Sequence, residues 1–78
     1  MQIKDIILTD AIAKELAYVY IKNIYGADSA EQQKPYETLI LGEIWIIKGT
    51  KPKHLLGGTF EIHLSKDDGR VVKIGHSR

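Results

Sequence analysis

An α+β fold is what this sequence predicts: one amphipathic helix packed on a curved four-stranded antiparallel meander. Three observations carry that reading. An apolar stripe with a 3.6-residue period runs over residues 10–25 and stops at Gly26. Two runs rich in β-branched and aromatic residues, 36–41 and 44–49, flank the dipeptide Gly42-Glu43. Two further alternating runs, 59–64 and 70–75, are joined by Ser65-Lys66-Asp67-Asp68-Gly69, a turn signal ending in Asp-Gly.

The helix is legible at both ends. Thr9 or Asp10 supplies an N-cap oxygen, and Gly26 ends the helix as the residue that tolerates a left-handed C′ conformation. Ile12, Ala13, Leu16, Ala17, Tyr20 and Ile24 form the apolar stripe, and the two alanines allow close approach to a sheet. Lys14, Glu15, Tyr18, Lys22 and Tyr25 fall opposite. Residues 1–8 alternate loosely and read as a short strand or a lead-in that packs against the helix. Residues 27–34 are polar. Ser29-Ala30-Glu31-Gln32 has capping-box spacing, which predicts one extra helical turn, and Pro35 stops any helix at Lys34.

A glycine-first, two-residue connection fits a primed hairpin turn and sets the register: Leu41 faces Ile44, Ile40 faces Trp45, Leu39 faces Ile46 and Thr38 faces Ile47. One sheet face then carries Leu39, Leu41, Ile44 and Ile46, and the other Tyr36, Thr38, Ile40, Trp45 and Ile47. Both are apolar and the expected helix covers one. The second is therefore expected to bind another protein, either a second copy or a different partner. After a loop holding Lys51, Pro52, Lys53 and His54 and the pair Gly57-Gly58, the third strand directs Phe60, Ile62 and Leu64 to one side and Thr59, Glu61 and His63 to the other. The fourth separates Val72 and Ile74 from Val71 and Lys73.

Seventy-eight residues, 44% of them hydrophobic and 27% charged, make one folded domain spanning 1–78. A net charge of +1 argues against a nucleic-acid-coating protein and against an acidic mimic of nucleic acid. The absence of cysteine excludes disulfides and thiolate metal sites. The apolar run near Met1 is too short and interrupted for a signal peptide or membrane span, so a cytoplasmic protein without membrane association is expected.

Residues that carry chemistry are few. His54, His63 and His76 fit no metal-ligand spacing, and no glycine-rich phosphate loop or activated nucleophile is present. Glu61 and His63 share a strand face as an acid–base pair, but two such residues are more often a solvated polar face. No cofactor is expected. Lys48, Lys51, Lys53 and His54 form a small basic cluster suited to phosphate or an acidic partner, or to protecting a sheet edge. Tyr36 and Trp45, on one face, would make a stacking platform for single-stranded nucleic acid, an idea the balanced charge weakens. Trp45 is either core or an interface anchor.

The succession of a Thr-Asp-Ala-Ile-Ala-led helix, Tyr25-Gly26, Lys34-Pro35-Tyr36, Gly42-Glu43-Ile44-Trp45-Ile46-Ile47, Gly49-Thr50, Gly57-Gly58 and Asp68-Gly69, closing on His76, resembles the immunity proteins of the nuclear-transport-factor-2-like fold. These belong to bacterial polymorphic toxin systems. The resemblance runs from about Thr9 to His76. It implies a cone-like, cystatin-like arrangement shortened by loss of the usual additional helices. It also implies a non-catalytic inhibitor that binds and occludes a cognate toxin. The contact residues expected are Trp45, Lys48, Lys51, Lys53 and His54, with Tyr18 and Tyr25 as second choice, and a homodimer is a further expectation. The alternative is a homo-oligomeric small-ligand-binding domain of the same broad fold. A small enzyme built on Glu61 and His63 comes third.

Overall fold

The computed structural model describes residues 9–51 and 58–77, with side chains through residue 75. The chain forms α1 (Asp10–Tyr25), α2 (Ala27–Gln32), β1 (Glu37–Leu41), β2 (Ile44–Lys48), β3 (Thr59–Ser65) and β4 (Val71–Ser77). The strands make one antiparallel sheet in the order β1-β2-β3-β4, the meander expected.

Thr9 caps α1, its hydroxyl accepting the N–H of Ile12 at 3.3 Å. Gly26 ends it at φ +101°, a conformation few other residues adopt, with its N–H donating to the Lys22 carbonyl. The buried line of α1 is Ala13, Ala17 and Ile21, spaced by four residues. Ile21 was not among the expected stripe residues. Ile24 was, and it is 52% exposed: it stands in the last turn, where the stripe is no longer covered. The expected extra helical turn exists but starts earlier, at Ala27, and forms a second helix. Ser29 lies inside it and does not cap it; its hydroxyl accepts from the Gln33 side chain at 3.2 Å.

The hairpin register is the predicted one at every pair, and Gly42 turns at φ +59°. Helix α1 packs on the face bearing Trp45, Ile47, Phe60, Ile62 and Leu64, all buried. Tyr36 joins them edge-on to Phe60, with ring centroids 4.9 Å apart and planes at 87°. Each large side chain buried there contributes roughly 1.5–3 kcal/mol of transfer free energy. Strand β4 departs from strict alternation. A register shift between His63 and Leu64 pairs Leu64 with Val71 and His63 with Lys73. Val71 and Ile74 therefore both pack against the core, while Val72 is 50% exposed, because the bulge inserts one residue between them.

Gln33 is the buried polar residue that joins the layers. Its side-chain oxygen accepts the Phe60 N–H at 2.8 Å, and its carbonyl accepts the Thr50 N–H at 2.7 Å. The Thr50 hydroxyl donates to the Pro35 carbonyl at 2.6 Å. Elsewhere, the Tyr36 hydroxyl donates to the Ala30 carbonyl at 2.6 Å, and the Tyr20 hydroxyl to the Gly69 carbonyl at 2.9 Å. The second of these ties α1 to the β3–β4 turn. No buried side-chain polar atom is left without a partner among the described residues.

Candidate functional site

With α1 on one side of the sheet, the opposite face is open. Its apolar half lies on the first hairpin, where Leu39 pairs with Ile46 and Leu41 with Ile44. Leu39 and Leu41 are 56% and 60% exposed, and Ile44 and Ile46 are half-buried. Alternation also sends Lys48, Glu61 and His63 to this face, since Ile46 pairs with His63 and Lys48 with Glu61. The surface thus passes from aliphatic on β1 and β2 to charged on β2 and β3. A depression of about 160 Å³ lies at the junction, lined by Glu37, Thr38, Leu39, Ile46 and Lys48.

The polar half is internally paired. The His63 Nε2 and a Glu61 carboxylate oxygen are 2.6 Å apart, and Lys48 Nζ stands 3.6 Å from the other oxygen. The hydrogen bond from His63 is the largest influence on the Glu61 carboxyl and, with weaker help from Lys48, holds it below its ordinary range against desolvation, which ranks second and opposes it. A stabilised, ionised carboxylate between two donors suits an ion-pair surface better than a proton-accepting base, which works best near neutral pKa. No cluster of three metal-capable side chains occurs among the described residues.

A larger groove, of about 720 Å³, runs between α1 and the chain entering β1 and is lined by Lys14, Glu15, Tyr18, Val19, Lys34, Pro35 and Tyr36. Lys34 Nζ lies 4.5 Å from the Tyr18 ring centroid and 3.4 Å from Glu31. Hydrogen bonding to Glu31 raises the Tyr18 pKa and lowers that of Glu31. Burial is the main reason that Tyr36 is pushed up to about 12. The polar groups along one wall therefore satisfy one another. The open sheet face instead presents aliphatic surface with nothing packed on it among the described residues, and it is the stronger candidate for recognition.

The expected contact residues do not form one cluster. Trp45 is 8% exposed and lies under α1, on the rung between Ile40 and Leu64, so it is core and withdrawn from the surface. Lys48 is exposed and belongs to the open face. Lys51 is exposed, beyond the end of β2. Lys53 and His54 lie outside the described residues. Tyr18, expected on the outer face of the helix, is half-buried, packs against the core and lines the groove. Tyr25 is 38% exposed in the last turn of α1 and lines neither the groove nor the depression. Of the residues that shape these surfaces, Gln33 escaped sequence reasoning altogether. A glutamine in a polar stretch carries no local sign of burial.

The profile of a family described as NTF2 fold immunity protein matches residues 12–78. Two curated proteins of Escherichia coli (strain K12) are also similar. One, named uncharacterized protein YhhH, is 42% identical over 77 residues, covering 97% of this chain and 61% of its own length. The other, named uncharacterized protein YbbC, is 35% identical over 77 residues, covering 97% of this chain and 63% of its own length. The chain thus spans less than two thirds of the curated relatives it matches. No solved structure matches it significantly.

Proposed function

The chain belongs to the NTF2 fold immunity protein family, and from that premise we propose that it neutralises a cognate bacterial polymorphic toxin by binding and occluding it in the cytoplasm. The observation that carries the surface assignment is the exposure of Leu39 and Leu41 on the sheet face that α1 leaves open. Aliphatic side chains in that position gain free energy when a partner removes them from water, and the adjoining Lys48–Glu61–His63 cluster would orient the partner through polar contacts at the rim. Binding of this kind is steric and needs neither cofactor nor catalytic residue. Lys51 extends the same edge, and Lys53 and His54 follow it in sequence as further contacts.

Co-expression provides the test. The toxin encoded beside this protein should arrest growth, this chain should restore it, and the two should co-purify one to one. Failure to rescue against that toxin would overturn the reading.

The groove beside Tyr18 and Tyr36 favours a second reading, a small-ligand-binding domain of the same broad fold. That reading expects ligand capture that is indifferent to substitutions at Leu39 and Leu41.

A further inference from the structure

The turn between β3 and β4 holds the only Asp-Gly step in the sequence, and no Asn-Gly step occurs. Gly69 stands at φ +76°, a conformation that favours glycine, so the turn itself asks for this residue after Asp68. That requirement carries a chemical liability. The backbone nitrogen that follows an aspartate can attack its side-chain carbon, and glycine has no side chain to hinder the approach. The Asp68 side chain is 50% exposed, whereas Gly69 is buried. The polar groups of the step are all engaged. The Gly69 N–H donates to the Ser65 carbonyl at 2.8 Å, and the Gly69 carbonyl accepts the Tyr20 hydroxyl at 2.9 Å. One Asp68 carboxylate oxygen accepts the Arg70 N–H at 3.0 Å, and the other accepts from its guanidinium at 3.1 Å.

We propose that Asp68 is a site of isoaspartate formation, and that the Tyr20 hydroxyl of α1 guards it in the folded protein. The reaction is a condensation followed by a hydrolysis. The Gly69 nitrogen bonds to the Asp68 side-chain carbonyl carbon, its proton leaves with the carboxyl hydroxyl as water, and a succinimide ring results. Water then adds at either ring carbonyl. The product is aspartate or isoaspartate, in which the main chain runs through the side-chain carbon. The folded turn opposes each requirement. The attacking nitrogen is buried and its N–H is engaged. The Arg70 N–H does most to hold the Asp68 carboxyl below its ordinary range, against desolvation, whereas the protonated acid loses water more readily. Ring closure also turns the Asp68–Gly69 peptide toward the side chain and carries Gly69 with it. Tyr20 anchors the Gly69 carbonyl against that motion from a helix 49 residues away in sequence, while the other bonds lie within residues 65–70. Isoaspartate lengthens the main chain inside a turn that the Ser65 N–H closes on the Arg70 carbonyl at 2.9 Å, so the modified turn no longer matches the pairing of β3 with β4.

Peptide mapping by mass spectrometry tests this on the full chain aged at neutral pH, with isoaspartate located by fragmentation. It needs no toxin. In guanidinium chloride isoaspartate should accumulate at residue 68, and in the native protein it should form about tenfold more slowly. Tyr20→Phe keeps the ring, releases the Gly69 carbonyl and should speed the native reaction about fivefold. Gln33→Ala separates local opening from general loss of stability. Its bond to Phe60 lies at the opposite end of β3 from the turn. It should therefore isomerise more slowly than Tyr20→Phe although it lowers stability more. A native rate equal to the unfolded one would overturn the proposal, as would Tyr20→Phe with an unchanged rate. So would a rate in Gln33→Ala that matches or exceeds that of Tyr20→Phe, which would make unfolding of the whole chain the route.

Discussion

The side-chain oxygen of Gln33 accepts the buried N–H of Phe60 at 2.8 Å, and this contact closes the end of the β2–β3 ladder. The Gly49 N–H still reaches the Phe60 carbonyl at 3.1 Å, but the return N–H goes to a residue from the segment after α2. One glutamine side chain thus pins the helical layer to the third strand, with the Thr50–Gln33 and Thr50–Pro35 bonds reinforcing it on the backbone side.

Removal of the Gln33 side chain strands the Phe60 N–H in the core. Gln33→Ala is expected to destabilise the fold by about 2–3 kcal/mol, combining an unsatisfied buried donor with lost packing. Urea unfolding should show a lower midpoint with an unchanged m-value.

Gly49 is required because Gln33 and Phe60 occupy the space where a side chain would be. A Cβ there would stand 2.5 Å from Gln33 Oε1, 2.8 Å from Gln33 Cβ and 2.9 Å from Phe60 Cε2. Gly49→Ala is expected to cost about 1–3 kcal/mol by overpacking. The same substitution made in Gln33→Ala should cost less, since the Oε1 contact has gone. A double-mutant cycle measured by denaturation reads that non-additivity directly.

Trp45 and Leu41 should separate stability from recognition. Trp45→Ala is expected to cost about 3–5 kcal/mol of folding free energy, as a buried large-to-small change. Leu41→Lys changes an exposed side chain and should leave stability within about 0.5 kcal/mol while weakening toxin capture tenfold or more. Thermal melts and co-purification yield, measured on both variants, make the comparison.

The Tyr20 hydroxyl holds α1 to the β3–β4 turn through the Gly69 carbonyl. Tyr20→Phe keeps the ring and removes this bond, for an expected loss of about 1 kcal/mol. Chemical denaturation of the two proteins checks it.

Acid should weaken the open-face ion cluster in one direction. Glu61 has its folded-state pKa depressed, first by the His63 hydrogen bond, so it contributes stability above the ordinary carboxylate pKa and loses it as pH falls through the depressed value. The stability difference between wild type and Glu61→Gln should therefore be present at neutral pH and vanish at strongly acidic pH. The side chain is 31% exposed, and solvent screening keeps the difference below about 1 kcal/mol. Urea titrations of both proteins across that range would show it.

Much of the framework was readable from local pattern. The helix start, the Gly26 stop and the hairpin register about Gly42-Glu43 depend on neighbours a few residues apart; the stop and the register are as the sequence predicts, and of the two expected caps it is Thr9 that serves. The alternation of Phe60, Ile62 and Leu64 places all three in the core. The β4 bulge was not readable, because its signal is a mismatch between two strands that neither contains alone. Ile24 misled because helical periodicity reports the side of a residue and says nothing about where the covering sheet stops. The contact surface was legible only as a pair of alternatives, one apolar face or the other.

The sequence by itself determined the elements, the pairing of the hairpin and the fact that two apolar faces compete for one helix. These follow from short-range sterics and hydrogen bonding. Only the tertiary structure decided which face α1 takes: the one carrying Trp45, which becomes core, leaving Leu39 and Leu41 in water. That choice depends on packing between segments far apart in the chain. Ala13 and Ala17 lie fully buried in the same cluster as Trp45 and Ile47, and Gln33 fits the gap that Gly49 leaves beside Phe60. Complementarity of that kind is a property of surfaces brought together, and no local run of residues encodes it.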